Sequence, residues 1–393
     1  MKKNLVLIFM LSVFFSSSVF SVVSDAEKKF IRGSIAEKIE AVTEANEKNA
    51  FVMGSKGIDY VLSNIDTLGP DSELSSLALA SFLAISKKAN PERLDENKTF
   101  EIASKVIQLF KIFNDETVKI NALDCLASLK NPKWNGAVDT LNEYLEVHIH
   151  DVYPSSLLIG NIIASLGNFG DAKSLSLVYN IWINNVWPEY TPVTENSLIK
   201  LSEKNLDEAI KIIFFANNSN ISKFLDVVKK SSGISQEFKS NIAETALSVS
   251  INNAESVQEF SSVFVSIQMD TLRILSSSKW AHATEVVAKN FDVAKKEYSL
   301  GIISDEEFIQ MLDYTAAFGT SKVSLMYSNL LADFNGKAEK SEIPSEPVVL
   351  AVISKLGDLG DKVAFDNLLY VTYLNYSDAV KDAAKVSLSK LKW

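Results

Sequence analysis

LGNFGD, Leu166 to Asp171, is written again as LGDLGD at Leu356 to Asp361. Sliding the chain against itself by 190 residues aligns Pro154 to Leu201 with Pro344 to Leu391 without a gap, and 12 of the 48 pairs are identical. The matches include Ile163/Ile353, Leu166/Leu356, Gly167/Gly357, Gly170/Gly360, Asp171/Asp361, Leu198/Leu388 and Leu201/Leu391. Apolar residues at helical spacing supply a shared core, Gly lets a helix end in a left-handed cap, and Asp opens the next helix. The phrase thus predicts a turn between two helices, and its recurrence predicts an all-α chain built from repeats.

A second internal match extends the pattern. TVKINALDCLASLK (Thr117 to Lys130) lines up with AVKDAAKVSLSKLK (Ala379 to Lys392), with Val118/Val380, Lys119/Lys381, Ala122/Ala384, Leu126/Leu388 and Leu129/Leu391 coinciding. Helix-to-helix junctions are expected at Met53-Gly54, Ala89-Asn90, Leu129-Lys130, Leu166-Gly167, Phe318-Gly319 and Leu356-Gly357. Four of the five intervals are 36, 40, 37 and 38 residues, and the long one, 152, is four times 38. Inside the long interval, junctions are plausible near Glu203-Asn205 and Trp280-Ala283, whereas the one due near Ile242 falls in what reads as a continuous helix, with Gly233 as a displaced turn. Ser304-Asp305-Glu306-Glu307 resembles a capping box behind a Gly301 stop. Strand-like alternation is scarce, and only eight prolines interrupt the chain.

On these residues the chain resembles the HEAT-repeat family, whose two-helix units carry a turn like LGDLGD and a second-helix phrase like DAVKDAAKVSLSKL; the family's usual Arg after that Val is Lys381 here and Lys119 in the earlier copy. The resemblance covers residues 101–201 and 344–393 well, 22–100 weakly, and 202–343 only by period. It implies an α-solenoid, a superhelix of roughly eight or nine two-helix repeats of about 38 residues. It carries no chemistry.

Met1 to Ser24 opens with Lys2 and Lys3, runs apolar from Leu5 to Phe15, and ends in small residues, the order of a secretory signal peptide. Cleavage is expected after Ser21, with Ser24 or Ala26 as alternatives, and export to the periplasm or the exterior follows. No cysteine lies near the cleavage region to accept lipid. An uncleaved anchor is the other reading, disfavoured because the apolar run falls short of the ~20 residues needed to span a bilayer. No later run approaches that length either.

Removing the leader leaves 37 basic residues against 49 acidic ones. Such a surface repels nucleic acid. Cys125 is the only cysteine, so no internal disulfide forms despite export. It shares a helical stripe with Val118, Ala122, Leu126 and Leu129, the place of a buried small hydrophobe rather than a reactive thiol.

Catalytic signals are sparse. Three histidines exist, and HIHD (His148 to Asp151) invites a metal reading, since two imidazoles two apart on an extended segment can meet one ion. The metallo-hydrolase pattern HxHxDH fails, however, at Val152 and Tyr153, and a polar inter-repeat loop is the simpler reading. No G-x-S-x-G elbow, P-loop or G-x-G-x-x-G fingerprint occurs. Neither a metal nor any other cofactor is expected, and no catalytic residue is assigned.

The most unusual segment is IWINNVWPEYTP, Ile181 to Pro192. Trp182, Trp187 and Tyr190 beside two prolines suit a partner-binding surface, because aromatics on a stiffened turn give contact area with little entropy to lose. They suit equally a packed inter-repeat core. Tyr370, Tyr373 and Tyr376 pose the same choice. The expectation is a non-enzymatic scaffold of the bacterial cell envelope that grips a protein or an extended peptide. Two other readings stay open: an envelope enzyme or its regulatory subunit with a site around Trp280 and His282, and a structural protein self-associating through its ends, where Trp393 is terminal.

Overall fold

The computed structural model describes residues 25–90, 95–129, 135–151, 156–257, 260–342 and 344–392. The expected leader, residues 1–21, and Trp393 lie outside them. Among the described residues the regular structure is twenty α-helices with a few short 3₁₀ turns, and no strand forms beyond one isolated bridge between Asp361 and Lys392. The fold is all-α. No helix among the described residues is long and apolar enough to cross a membrane. The chain divides into two compact units, one up to Ala137 and one from Val138.

The first unit holds α1 (Asp25–Arg32), α2 (Ile35–Thr43), α3 (Ala50–Leu68), α4 (Ser72–Lys88), α5 (Glu96–Ile112) and α6 (Glu116–Leu129). Local chemistry sets their starts. Ser34 and Glu37 close a capping box on α2, Asp71 and Asp95 cap α4 and α5, and Asp115 accepts from the Val118 amide at the head of α6. The helices then pack on near neighbours in sequence, α2 on α3 and α4, α3 on α4 and α5, and α6 on α4 and α5. Met53, Leu77, Phe82, Phe110 and Leu126 fill the space between.

The junction expected at Met53-Gly54 does not exist, because α3 runs straight through it. Gly54 and Gly57 instead admit α4: a Cβ on Gly54 would stand 2.8 Å from the Ser81 carbonyl oxygen, and one on Gly57 would collide with the Ser81 hydroxyl. The stop comes at Gly69, whose φ of 75° suits glycine alone and which Pro70 follows.

Helix α7 (Asn135–His148) leads into the second unit. There follow α8 (Ser156–Phe169), α9 (Leu175–Ile183), α10 (Thr191–Lys204), α11 (Leu206–Phe214), α12 (Asn218–Lys230), α13 (Gln236–Val257) and α14 (Ser262–Ser278). The unit ends with α15 (Thr284–Ser299), α16 (Asp305–Ala316), α17 (Ser321–Glu339), α18 (Glu346–Leu359), α19 (Phe365–Val371) and α20 (Asp378–Ser389). Even-numbered helices form one row of successive contacts, α8 on α10, α10 on α12, and so on to α20. Odd-numbered neighbours line up beside them, α9 on α11, α11 on α13, α13 on α15, and α17 on α19.

The repeated phrase is a turn in both copies, with the helix ending three residues later than Leu166 and Leu356. Gly170 and Gly360 take φ of 72° and 67°, and Asp171 and Asp361 accept from the amides of Lys173 (2.9 Å) and Val363 (3.0 Å). A 3₁₀ turn and a short helix follow each, and then α10 and α20 return onto α8 and α18. The two copies share side-chain contacts as well: Lys200 donates to Asn168 Oδ1 and Lys390 to Asp358 Oδ1, each at 2.9 Å.

The middle region keeps the same grammar with looser spacing. α10 gives way to α11 at Asn205, Gly233 (φ 85°) turns the chain ahead of a continuous 22-residue α13, and a 3₁₀ turn at Ala281–Ala283 opens α15. Gly301, the Ser304/Glu307 capping box and Gly319 separate α15, α16 and α17. Successive members of the odd row are tied by polar contacts such as Asn253 Nδ2 to the Ala216 carbonyl (3.1 Å), Lys289 to Asn252 (2.9 Å) and Lys295 to Asp333 (3.3 Å). These partners stand 37, 37 and 38 residues apart. Beneath them Leu198, Ile213 and Phe224 belong to one apolar cluster, and Leu272, Phe291, Tyr327, Val352 and Leu368 to another.

Candidate interaction surface

The three aromatics singled out in sequence do not share an open face. Trp187 is only 5% exposed, and its ring belongs to the interior. Trp182 is half-buried on α9; its Nε1 lies 3.4 Å from Glu195 Oε1 and its ring meets Phe224 edge-on at 6.3 Å. Tyr190 lays its ring on Gly160 of α8, where a Cβ would come within 3.0 Å of two ring carbons. The segment binds its own neighbours. Of the later tyrosines, Tyr376 is buried, Tyr370 donates to Glu339, and Tyr373 is 75% exposed.

The histidines are equally local. His148 stacks on Tyr144 at 4.1 Å with Nδ1 2.7 Å from the Tyr144 carbonyl, while Asp151 Oδ2 is 4.0 Å from Nε2. Among the described residues no three His, Cys, Asp or Glu side chains converge as metal ligands. Cys125 is fully buried, and burial pushes its thiol pKa well above the ordinary range.

The most exposed aromatic side chain among the described residues, Phe215, was not singled out from sequence. Phe214 and Phe215, at the end of α11, are 62% and 85% exposed, and their rings pack edge to face at 5.3 Å. Ala209, Ile213 and Ala216 take the buried stripe of this segment, so the two consecutive phenylalanines project to either side of its outer face. The signal was present in IIFFANN, where four apolar residues in a row exceed what one helical stripe can bury.

Each phenylalanine borders a hollow. Phe214 lines one of about 650 Å³ together with residues of α13 and the start of α15, among them Glu237, Glu244, Trp280, His282 and Glu285. Phe215 lines a smaller one, about 350 Å³, with Tyr179, Glu208, Lys211 and Asn220. In the larger hollow Trp280 Nε1 donates to Glu244 Oε2 at 2.6 Å, which fixes both, and the His282 ring lies 5.3 Å from that of Trp280. Glu285 reaches out to Lys322, and no Lys or Arg stands in the lining.

A buried polar cluster lies between α14 and α15. Gln268 Nε2 on α14 donates to Asn290 Oδ1 (3.0 Å) and Glu297 Oε2 (2.9 Å) on α15, and Glu297 is fully buried. Burial pushes the Glu297 carboxyl up to about 7; the Gln268 hydrogen bond opposes this and the nearby charge of Glu307 adds to it.

Neither a family model nor a curated protein matches the chain.

Proposed function

We propose that the protein is a non-enzymatic protein-binding or assembly scaffold of the bacterial cell envelope, with its helices stacked as an α-solenoid of HEAT-like pairs. The exposed Phe214–Phe215 pair between two hollows is the observation that carries the binding reading, since large contiguous apolar surface on a folded chain marks an interaction site. The solenoid reading is supported by helices that pack on the next but one, and by polar ties between residues about one repeat apart. Export rests on the leader and on cleavage near Ser21.

Crosslinking of native cells, followed by affinity purification and mass spectrometry, tests the reading. A defined envelope protein linked near α11 supports the scaffold, and the same partner recovered undiminished from a Phe214→Ser/Phe215→Ser chain moves the binding site elsewhere. Links within the second unit should join residues about one repeat apart. An intact Met1 on the native protein would defeat export.

A second reading, an envelope enzyme, is favoured by the hollow at Trp280 and His282. Its Glu244 is already engaged by Trp280, and among the described residues no carboxylate is hydrogen-bonded to His282, so the geometry supports binding better than proton transfer.

A further inference from the structure

We infer that the surface astride Phe214–Phe215 docks a basic segment of a partner protein, placing a Lys or Arg side chain in the larger hollow and an apolar side chain against Phe215. The inference rests on the scaffold reading and adds the chemistry of what is held. Glu237, Glu244 and Glu285 line the larger hollow with no Lys or Arg among them, on a chain whose net charge is −10. A cation entering there meets carboxylates and two exposed or half-exposed aromatic side chains, Phe214 and Trp280, whose ring faces can attract it independently of the carboxylates. Glu237 is exposed, and its bond to Asn241 uses its backbone carbonyl, so its carboxylate is available. Glu285 is 82% exposed and tied only to Lys322, a surface pair that exchanges readily for another cation. Glu244 is the fixed member, held by the Trp280 indole.

The aromatic pair gives this charge pattern a register. Two adjacent rings that face different hollows divide an occupant into a part that enters the acidic hollow and a part that crosses to the smaller one, as an extended peptide does and a compact ion does not. An acidic polymer or an anionic membrane surface is repelled by the same lining.

The test is selection of a random 12-residue peptide library on the full chain, repeated on Phe215→Ser and on Glu237→Lys, both at exposed positions and both checked for unchanged helix content and melting. The expected result is enrichment of peptides with Lys or Arg beside an apolar residue. A synthetic copy of the best peptide should bind each variant about tenfold or more weakly, and bind the unaltered chain more weakly as salt rises. Apolar peptides without cations, lost on Phe215→Ser and kept on Glu237→Lys, would overturn the basic partner and leave the scaffold standing. Peptides bound equally by all three chains would overturn this site alone. No selected peptide, with a dimer in sedimentation that Phe215→Ser abolishes, would make the occupant a second copy and overturn the inference. No peptide and no dimer would defeat both the site and the protein-binding reading.

Discussion

Gly167 of α8 lies so close to Ser197 of α10 that a Cβ on the glycine would stand 2.7 Å from both Cα and Cβ of the serine, and Gly357 meets Ser387 in the same way at 3.0 and 2.9 Å. The two pairs are 190 residues apart on both sides, so the repeat conserves a helix crossing as well as a turn. Backbone and Cβ atoms cannot swing aside as a flexible side chain would, so a methyl group forces the helices apart. Gly357→Ala should lose about 1–3 kcal/mol to overpacking, offset by up to ~1 kcal/mol of helix propensity. Gly336→Ala, on α17 with nothing within 4 Å, should show the propensity gain alone. Denaturant unfolding of both checks this. Adding Ser387→Gly to Gly357→Ala should recover part of the loss, and independent effects of the two changes would break the account.

Glu297 makes stability depend on pH. Its folded carboxyl titrates at about 7 and its unfolded one near 4.5, so the folded chain holds the proton over a wider range. The contribution to stability is therefore full below about 4.5 and is lost as pH rises through 7, on the order of 3 kcal/mol. Glu297→Gln, which keeps an acceptor for Gln268, should be more stable than the unaltered chain at pH 8 and lose that advantage by pH 4.5. Parallel unfolding curves at all pH values would show that Glu297 does not titrate in this window.

The turns were legible because their chemistry is local. Gly170-Asp171, Gly319 and Ser304/Glu307 each pair a stop with a start, and the helices end and begin there. Gly54 misled because a glycine that ends a helix and one that lets a neighbour approach are the same letter; what separates them is context, Pro70 after Gly69 against the i, i+3 pair of Gly54 and Gly57. Trp187 stayed open for a related reason: a proline-flanked Trp reads equally as a loop tip or as core, and only the tertiary fold sets its burial. Phe214 and Phe215 were missed because apolar residues at a helix end are credited to the core by default, whereas the stripe of Ala209, Ile213 and Ala216 was already complete.

Cys125 should be silent to thiol reagents in the native protein. It is fully buried, and burial raises its pKa, so little thiolate forms at neutral pH. Ellman's reagent should find no thiol in buffer and one per chain in guanidinium. Rapid reaction in buffer would place Cys125 at an opening the packed α6 does not show. Cys125→Ala should cost about 1 kcal/mol or a little more, the removal of one buried sulfur.

Trp182 and Trp187 separate packing from recognition. Trp187 is nearly enclosed, so Trp187→Ala should lose about 3–5 kcal/mol of stability, the range for removing a large buried ring. Trp182 is half-buried, and its contacts with Glu195, Phe224 and Tyr179 are shared along α9, α10 and α12, so Trp182→Ala should lose less. If these rings only hold helices together, binding of a partner should fall only as far as the folded fraction falls. Trp182→Phe, which keeps the edge-on packing and removes the Nε1–H, should then leave both stability and binding nearly intact. A Trp182→Phe chain that melts normally yet loses its partner would return recognition to this segment, and would move the docking surface from α11 toward α9.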